Sequence, residues 1–344
     1  MRMSVDVEVL DPRFDPEPAY WSALRERAGL RADWAWEVLV TQAWCARTPQ
    51  PVVVLRDGGA PAAVVAAAWI STHSRRHRFV SSTRGGRLGG LDVRSPGSSA
   101  VPGWWFADAD GADAGCGRLL TRYVPVMRRE LGAGLRGLLV RQVPEAGVAR
   151  LAGRFRLVRR TEDVGVIDTA GLAGTEDWLA GLGKKRRHNL RRIAEAVRAD
   201  PALEVAMLPG AEVDPVRLAA LLRHNERKHH DVPIVPLPQF TGYLTRLLRQ
   251  PDVLVLRYQE RATGRLVAAA LVLDHPNWPV VRAWSALPVD DGGRADLYFH
   301  FYGETVRWAA ESGRHGVIMG KKLAHLKKSL GARLVPQYAA AIPL

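Results

Sequence analysis

The richest group of residues for chemistry is the basic run at positions 184–192, KKRRHNLRR, which contains six lysines and arginines. Leu190, Ile193 and Val197 recur at spacings of three and four, which predicts a helix with one apolar face. One further step of four back from Leu190 is Arg186, which at about 100° per residue lies on the same face. An unpaired buried charge costs several kcal/mol. Arg186 should therefore meet a protein carboxylate or the anionic part of a substrate.

The other charges of this run have two interpretations. Lys184, His188 and Arg191 fall on the opposite side of the helix, where a solvated face is the ordinary explanation and ligand contact is the alternative. We predict that Arg186, Arg187 and Lys184 bind substrate.

No covalent nucleophile is indicated by the sequence. There is no G-x-S-x-G motif, and neither Cys45 nor Cys116 stands beside a histidine. Direct attack by an acceptor amine on an ester or thioester therefore fits better than an acyl-enzyme. Such a reaction needs a deprotonated amine, a stabilised tetrahedral oxyanion and a proton for the leaving group.

Three residues towards the C-terminus are candidates for these catalytic roles. Lys327 would hold a phosphate or the developing charge, and the alternative is a lysine on the exposed face of the last helix. Asp291, which follows Asp290, would act as general base or recognise the amine, and the alternative is a turn before a helix. Tyr298 would direct its phenol at a cleft.

Two more residues of the same region are predicted to bind substrate. Tyr302 lies one helical turn after Tyr298, so both phenols face one side, with core packing against Phe301 as the alternative. Arg294 follows a glycine pair and offers a positive charge at the start of that helix.

The histidines do not form a metal-binding pattern. The stretch 223–230, RHNERKHH, places Glu226 and His230 four residues apart, while His224 and His229 point elsewhere. No H-E-x-x-H motif occurs. We interpret the stretch as a polar helix end, with contact to the acceptor as the functional alternative. We predict no metal site and no cofactor.

Composition favours a globular protein with an anionic partner. A chain of 344 residues suggests two domains, and a hydrophobic content of 47% is sufficient for both to fold. The net charge of +14 favours RNA, a nucleotide or a CoA thioester, although arginine is abundant throughout the chain. No signal peptide is indicated, and the longest apolar run, residues 62–70, is too short to cross a bilayer. We therefore expect a cytoplasmic protein without a membrane span.

The order of predicted elements must position these side chains. In the second half, helices around residues 175–199, 214–229 and 239–249 precede a three-stranded antiparallel meander. A crossover helix at 295–312, a strand at 316–319, a helix at 323–330 and a last strand follow. This order predicts a mixed sheet in an α/β or α+β fold and excludes a parallel doubly wound fold.

That order resembles the GNAT superfamily of acyltransferases, and more closely its Fem-type branch of aminoacyl and peptidyl transferases. The resemblance rests on DWLAGLGKKRRHNLRRI, DLYFHFYGETVRWAAESG and IMGKKLAHLKKSLGA, and covers most of residues 160–340. In the last motif such proteins often carry a lysine four residues before a glycine, here Lys327 before Gly331. The resemblance implies two tandem GNAT-like domains, at 1–160 and 161–344. Each would be a mixed, mostly antiparallel sheet flanked by helices.

One departure from the GNAT pattern bears on the donor substrate. CoA-binding members usually carry Q/R-x-x-G-x-G/A before the crossover helix, whereas this chain has PVDDGGRADLYF. Two aspartates oppose a pyrophosphate at a helix N-terminus. Fem-type enzymes tend to lack the motif and use aminoacyl-tRNA.

The resemblance therefore implies an N-acyltransferase with aminoacyl-tRNA as donor and a small-molecule or peptide amine as acceptor. The acceptor would bind between the domains and the donor mainly to the second. The first alternative is an acyl-CoA-dependent GNAT N-acyltransferase. The second is a non-catalytic nucleic-acid-binding protein in which the basic run follows phosphates.

Overall fold

The computed structural model describes residues 6–46, 48–71, 78–79, 88–109, 112–228 and 237–344. The chain divides into unit 1, Met1–Asp163 with Val335–Leu344, and unit 2, Val164–Leu334. The expected second domain, 161–344, differs from unit 2 at its end. Its last residues return to unit 1 because their strand hydrogen-bonds there.

The elements of unit 1 are β1 (Asp6–Leu10), α1 (Trp21–Arg27), α2 (Trp36–Cys45), β2 (Val52–Asp57), β3 (Ala60–Ile70), β4 (Gly89–Val93), β5 (Trp104–Phe106), α3 (Ala112–Arg118), α4 (Val124–Leu131), β6 (Leu135–Pro144), α5 (Val148–Leu151), β7 (Leu157–Arg160) and, from the C-terminus, β15 (Gln337–Pro343). A π-helical turn, Leu119–Tyr123, joins α3 to α4.

The sheet of unit 1 has the strand order β1-β2-β3-β4-β6-β15-β7, with β5 beside β3. Both faces are covered, and the alternation of side chains along β2 shows how. Val53 and Leu55 belong to one buried apolar cluster, while Val52 and Val54 belong to another that includes Trp21. A run of four consecutive apolar residues is therefore a strand buried on both sides.

The elements of unit 2 are β8 (Val164–Asp168), α6 (Thr175–Ala180), α7 (Lys184–Ala199), β9 (Leu203–Pro209), α8 (Pro215–Lys228), α9 (Leu237–Leu248), β10 (Val253–Glu260), β11 (Leu266–Leu273), β12 (Val280–Ala286), α10 (Leu297–Glu311), β13 (Gly316–Ile318), α11 (Ala324–Ser329) and β14 (Arg333–Val335). The sheet order is β14-β8-β13-β12-β11-β10-β9. The predicted antiparallel meander is present as β10, β11 and β12.

The two sheets have corresponding topologies. In each, four antiparallel strands end at a strand that is parallel to its next neighbour: β4 with β6 in unit 1 and β12 with β13 in unit 2. The following neighbour is antiparallel and comes from elsewhere in the chain, β15 in unit 1 and β8 in unit 2. The predicted fold class, two tandem units with mixed, mostly antiparallel sheets flanked by helices, is confirmed.

Helix length and hydropathy bear on the membrane prediction. In the ranges given above, none of the helices combines enough length with enough apolar character to cross a membrane.

Candidate functional site

The parallel strands of unit 2 separate soon after they meet. β12 and β13 form one register pair, Val280 with Ile318. After it, the Met319 N–H donates to the Gly165 carbonyl on β8 at 2.8 Å. In unit 1 the corresponding strands remain paired along the whole of Gly89–Val93. Unit 2 therefore has a gap beyond the carboxyl end of β13 and alongside the part of β12 that follows Val280. Open sheets bind ligands at the carboxyl ends of such strands.

Lys327 holds the backbone that leaves β13 at this gap. Its Nζ donates to the carbonyl oxygens of Met319 and Gly320 at 2.7 Å each and of Lys321 at 2.8 Å. The side chain is only 3% exposed. An ammonium has three hydrogens, and three carbonyls satisfy them. The structure thus places Lys327 inside unit 2, neither on an exposed helix face nor directed at a phosphate.

The segment that Lys327 holds has a strained backbone. Gly320 has a φ of +74°. Lys322 and Leu323, which follow shortly after it, have φ values of +63° and +53°. Left-handed conformation costs about 1–3 kcal/mol at a non-glycine residue. The stem of Lys327 also packs on β8, where a Cβ at Gly165 would lie 2.8 Å from its Cδ. Lys327 and β8 together stabilise this otherwise unfavourable loop.

Arg186 occupies an intermediate position on the basic helix. Leu190, Ile193 and Val197 are buried, so the predicted apolar face is confirmed. The Arg186 guanidinium donates to Ser329 Oγ at 3.0 Å and lies 5.4 Å from the centre of the Phe299 ring. No carboxylate forms an ion pair with Arg186 in the part of the chain that the structure describes. Its partners there are a hydroxyl and an aromatic ring, and contact with the anionic part of a substrate stays a prediction.

The neighbouring charges have separate roles. Arg187 donates to the carbonyls of Ala180 at 3.2 Å and Leu182 at 3.5 Å, so it caps the end of α6. This contact occupies a residue that the sequence predicted to bind substrate. Lys184 is exposed at the start of α7. Arg191 pairs with Glu176 at 2.5 Å on the solvated face.

Tyr298 and Tyr302 meet, as their spacing predicts. Their hydroxyl oxygens are 3.3 Å apart, and Tyr302 is fully buried. Burial raises the pKa of both phenols, so each keeps its proton at neutral pH. The Tyr298 ring lies 5.9 Å from that of Trp284 on β12 and 5.8 Å from that of Phe301. Core packing therefore accounts for Tyr302, while Tyr298 keeps part of its surface open.

The turn before α10 engages the other two predicted residues. Arg294 Nε donates to Asp200 Oδ2 at 2.9 Å, and this hydrogen bond lowers the pKa of Asp200. Its Nη1 donates to the Gly292 carbonyl at 3.0 Å. Asp291 is exposed, with a carboxylate oxygen 3.8 Å from His224 Nε2. Arg294 thus stabilises the turn through these hydrogen bonds. Asp291 is not in contact with Lys327 or Tyr298.

A buried histidine was missed by the sequence analysis. His300 Nδ1 is 2.9 Å from the Tyr258 hydroxyl, and Nε2 is 3.9 Å from Glu304. Burial lowers the pKa of His300, so the ring is neutral at pH 7. It borders a cleft of about 210 Å³ between α6, α7 and α10. The four-residue spacing of His300 and Glu304 was visible in the sequence, but their neighbour Tyr258 belongs to β10, which is distant in the sequence.

The histidine stretch at the end of α8 yields no metal site in the described residues. His229 and His230 lie outside them. Elsewhere in the described chain no three His, Cys, Asp or Glu side chains form a group that could hold a metal ion. The absence of a metal site therefore remains a prediction.

Comparison with solved structures shows where this topology recurs. FemX aligns with 88% of this chain and 90% of its own, at 8% identity and a TM-score of 0.59. L-PGS from Bacillus licheniformis aligns with 94% of this chain and 91% of its own, at 10% identity and 0.58. The fold is GNAT-like and of the Fem type. A third neighbour, the C-terminal domain of a protein described as a lysylphosphatidylglycerol synthetase from Agrobacterium fabrum, covers 93% of this chain and 89% of its own, at 12% identity and a TM-score of 0.56.

Sequence comparison adds nothing to this structural likeness. No protein-family profile matches the chain, and no curated protein sequence matches it. At identities near a tenth, the structural neighbours describe the fold and not the activity.

Proposed function

We propose that the protein is an N-acyltransferase that moves an aminoacyl group from aminoacyl-tRNA to an amine of a small molecule or peptide. The observation that carries the proposal is the separation of β12 and β13 in unit 2 after one register pair. It leaves main-chain groups of parallel strands open to a ligand, which unit 1 does not do. The donor would lie in this gap with its carbonyl towards β12.

The reaction needs no covalent intermediate. The acceptor nitrogen attacks the ester carbonyl carbon, a C–N bond forms, and the C–O bond to the tRNA ribose breaks. The amine loses a proton and the ribose oxygen gains one, so the step balances. Tyr298 is protonated because its pKa is raised by burial, and it is our candidate to donate to the leaving oxygen. Asp291 remains our candidate for recognising the amine.

Lys327 takes a positioning role in this proposal. Its ammonium is occupied by three carbonyls of the segment that borders the gap. It therefore holds that edge of the donor site open instead of contacting the donor. Charge for the donor comes from the exposed start of α7, where Lys184 and Lys185 lie.

The distribution of charge favours a polyanionic donor. The Arg186 to Ser329 hydrogen bond joins the start of α7 to α11. Lys184 and Lys185 on α7 and Lys328 on α11 are exposed. The net charge of +14 suits RNA. The name of the Agrobacterium neighbour describes a lysylated product, which is an aminoacyl group in transfer. Because this donor is made in the cytoplasm, we also propose a cytoplasmic location.

The two alternatives fit less well. Asp290 and Asp291 are exposed ahead of α10, and Asp296 precedes its first residue. Three carboxylates oppose a pyrophosphate at that helix start, which disfavours acyl-CoA. A protein that only follows phosphates would direct its cations outward, whereas Arg186 packs on Phe299.

The test supplies purified protein with radiolabelled aminoacyl-tRNA and a mixture of amines, and in parallel with acyl-CoA. We expect amide product from the first mixture only, and its loss after ribonuclease treatment. RNA affinity should fall with salt at a logarithmic slope of about −0.7 to −0.9 per phosphate contact. If amide product formed from acyl-CoA in the presence of ribonuclease, aminoacyl-tRNA would be refuted as the donor, while the proposed acyl transfer would stand. Tight RNA binding without any amide product would favour the non-catalytic alternative.

A further inference from the structure

Arg282 is the irregular residue of β12, next to the gap. In the pairing of β12 with β11, Val281 opposes Val272 and Ala283 opposes Leu271. The residue between them, Arg282, has no partner in the ladder. Such bulges redirect a side chain and recur beside active sites. This one comes two residues after Val280, where β12 and β13 form their single pair.

The guanidinium of Arg282 has no protein partner in the described residues. Its Nε is buried and makes no hydrogen bond, and none of the ion pairs of the described chain includes it. Arg257, which also has a buried Nε without a hydrogen bond, differs because its Nη2 pairs with Glu204 at 2.5 Å. A buried donor without an acceptor costs about 1–3 kcal/mol. Arg282 as a whole residue is only partly buried.

The surroundings of Arg282 belong to the gap. A Cβ atom built on Gly320 would lie 3.8 Å from the Val281 carbonyl oxygen and 4.0 Å from Lys327 Nζ. The loop that leaves β13 therefore passes beside the residue that precedes Arg282. On the other side along β12, Trp284 stacks on Phe301 with ring centres 4.7 Å apart. Arg282 thus stands between the segment held by Lys327 and the aromatic cluster of α10.

We infer that Arg282 binds a phosphate group of the acyl donor in the gap between β12 and β13. The inference rests on the proposed function, because it needs a phosphorylated donor in that gap. Phosphate is the anion that aminoacyl-tRNA and acyl-CoA share, and the planar guanidinium can bind it through two parallel hydrogen bonds. The carboxylates of Asp290, Asp291 and Asp296 disfavour an anion at the α10 start. Arg282 on β12 offers a guanidinium that has no protein partner in the described residues.

The experiment measures binding of two probes to Arg282→Gln and Arg282→Lys. One probe is a short RNA that ends in cytidine-cytidine-adenosine, and the other is coenzyme A. The matched control is Arg249→Gln, which removes an exposed arginine after α9. For the probe that the wild-type protein binds, we expect Arg282→Gln to weaken binding by about tenfold to hundredfold. Arg282→Lys should recover part of the loss, and Arg249→Gln should change binding by less than about threefold.

Two further readouts separate recognition from a structural role. If the probe is RNA, Arg282→Gln should reduce the slope of log affinity against log salt by about 0.7, the loss of one contact. The melting temperature of Arg282→Gln should equal or exceed that of the wild type, because an arginine without a protein partner contributes no ion pair to folding.

The outcomes distinguish this inference from the proposed function. Wild-type binding of a probe with no change in Arg282→Gln would overturn the role of Arg282 and leave acyl transfer intact. If Arg282→Gln had a lower melting temperature and an unchanged slope of log affinity against log salt, Arg282 would stabilise the fold. That result would also overturn its role in phosphate binding. Wild-type protein that binds neither probe and forms no amide would refute the proposed function, and the inference with it. Weaker binding of the RNA by Arg282→Gln would identify aminoacyl-tRNA as the source of the phosphate. Weaker binding of coenzyme A would identify acyl-CoA.

Discussion

The Lys327→Met substitution removes a buried ammonium and keeps an unbranched side chain of similar length. The native ammonium donates to the carbonyls of Met319, Gly320 and Lys321 at 2.7, 2.7 and 2.8 Å. Hydrogen bonds to a charged group contribute about 1.5–3 kcal/mol each, so the upper limit for three is about 4.5–9 kcal/mol. Burying the ammonium costs several kcal/mol, which methionine avoids. The net loss of unfolding free energy should be about 2–4 kcal/mol.

Thermal unfolding followed by circular dichroism measures this loss. For a unit of the size of Val164–Leu334, each kcal/mol lowers the melting temperature by about 2–4 °C. Lys327→Met should therefore melt roughly 4–16 °C below the wild type. The matched control is Lys328→Met, at the exposed neighbouring position of α11. It should change the unfolding free energy by less than about 0.5 kcal/mol.

Equal melting temperatures for Lys327→Met and Lys328→Met would refute the positioning role. If Lys327→Met also weakened donor binding at unchanged stability, the lysine would contact the donor directly, as the sequence predicted. Loss of stability together with a lower turnover number is the result expected from a loop that Lys327 holds in place.

Further predictions concern the basic helix and the buried histidine. Arg186→Ala should raise the KM for the donor about tenfold. Arg191→Ala removes an exposed ion pair with Glu176, so it should lower stability by less than about 1 kcal/mol and change activity little. Equal, mild effects of both substitutions on acyl transfer would show that Arg186 is not part of the site. His300 has a lowered pKa because it is buried, so below about pH 6.5 the unfolded chain binds a proton that the folded chain does not. Stability should therefore fall as pH drops from about 7.5 to about 5.5. His300→Gln should flatten that fall and the exposed His325→Gln should not, measured by urea unfolding; parallel curves for all three proteins would contradict the neutral buried ring.

Local patterns in the sequence predicted much of the fold around the site. Leu190, Ile193 and Val197 are buried as their spacing requires, because a helix repeats every 3.6 residues whatever it packs against. The phenols of Tyr298 and Tyr302 meet for the same reason. The meander also follows from short apolar runs separated by turns. Each of these features depends on residues within a few positions of one another.

The roles of individual charges could not be predicted in this way. Arg294 is engaged by Asp200, 94 positions earlier in the chain. Arg186 meets Ser329, 143 positions later. A sequence shows which cations exist, but their partners are set by packing between distant elements. Arg187 and Arg294 both make contacts within the protein, and their substrate contacts stay a prediction.

By itself the sequence predicted the basic helix and the order of elements, and its resemblance to Fem-type proteins implied a tandem GNAT-like fold. The tertiary structure decided where the strands β12 and β13 separate and which side chains border the gap between them. The C-terminal strand joins unit 1, β12 and β13 separate after one pair, and Lys327 is buried against three carbonyls. The Arg282 bulge exists only in the register between β12 and β11. The physical reason is common to all of these: strand pairing and the burial of a charge depend on partners that are distant in sequence, and local propensity carries no information about them.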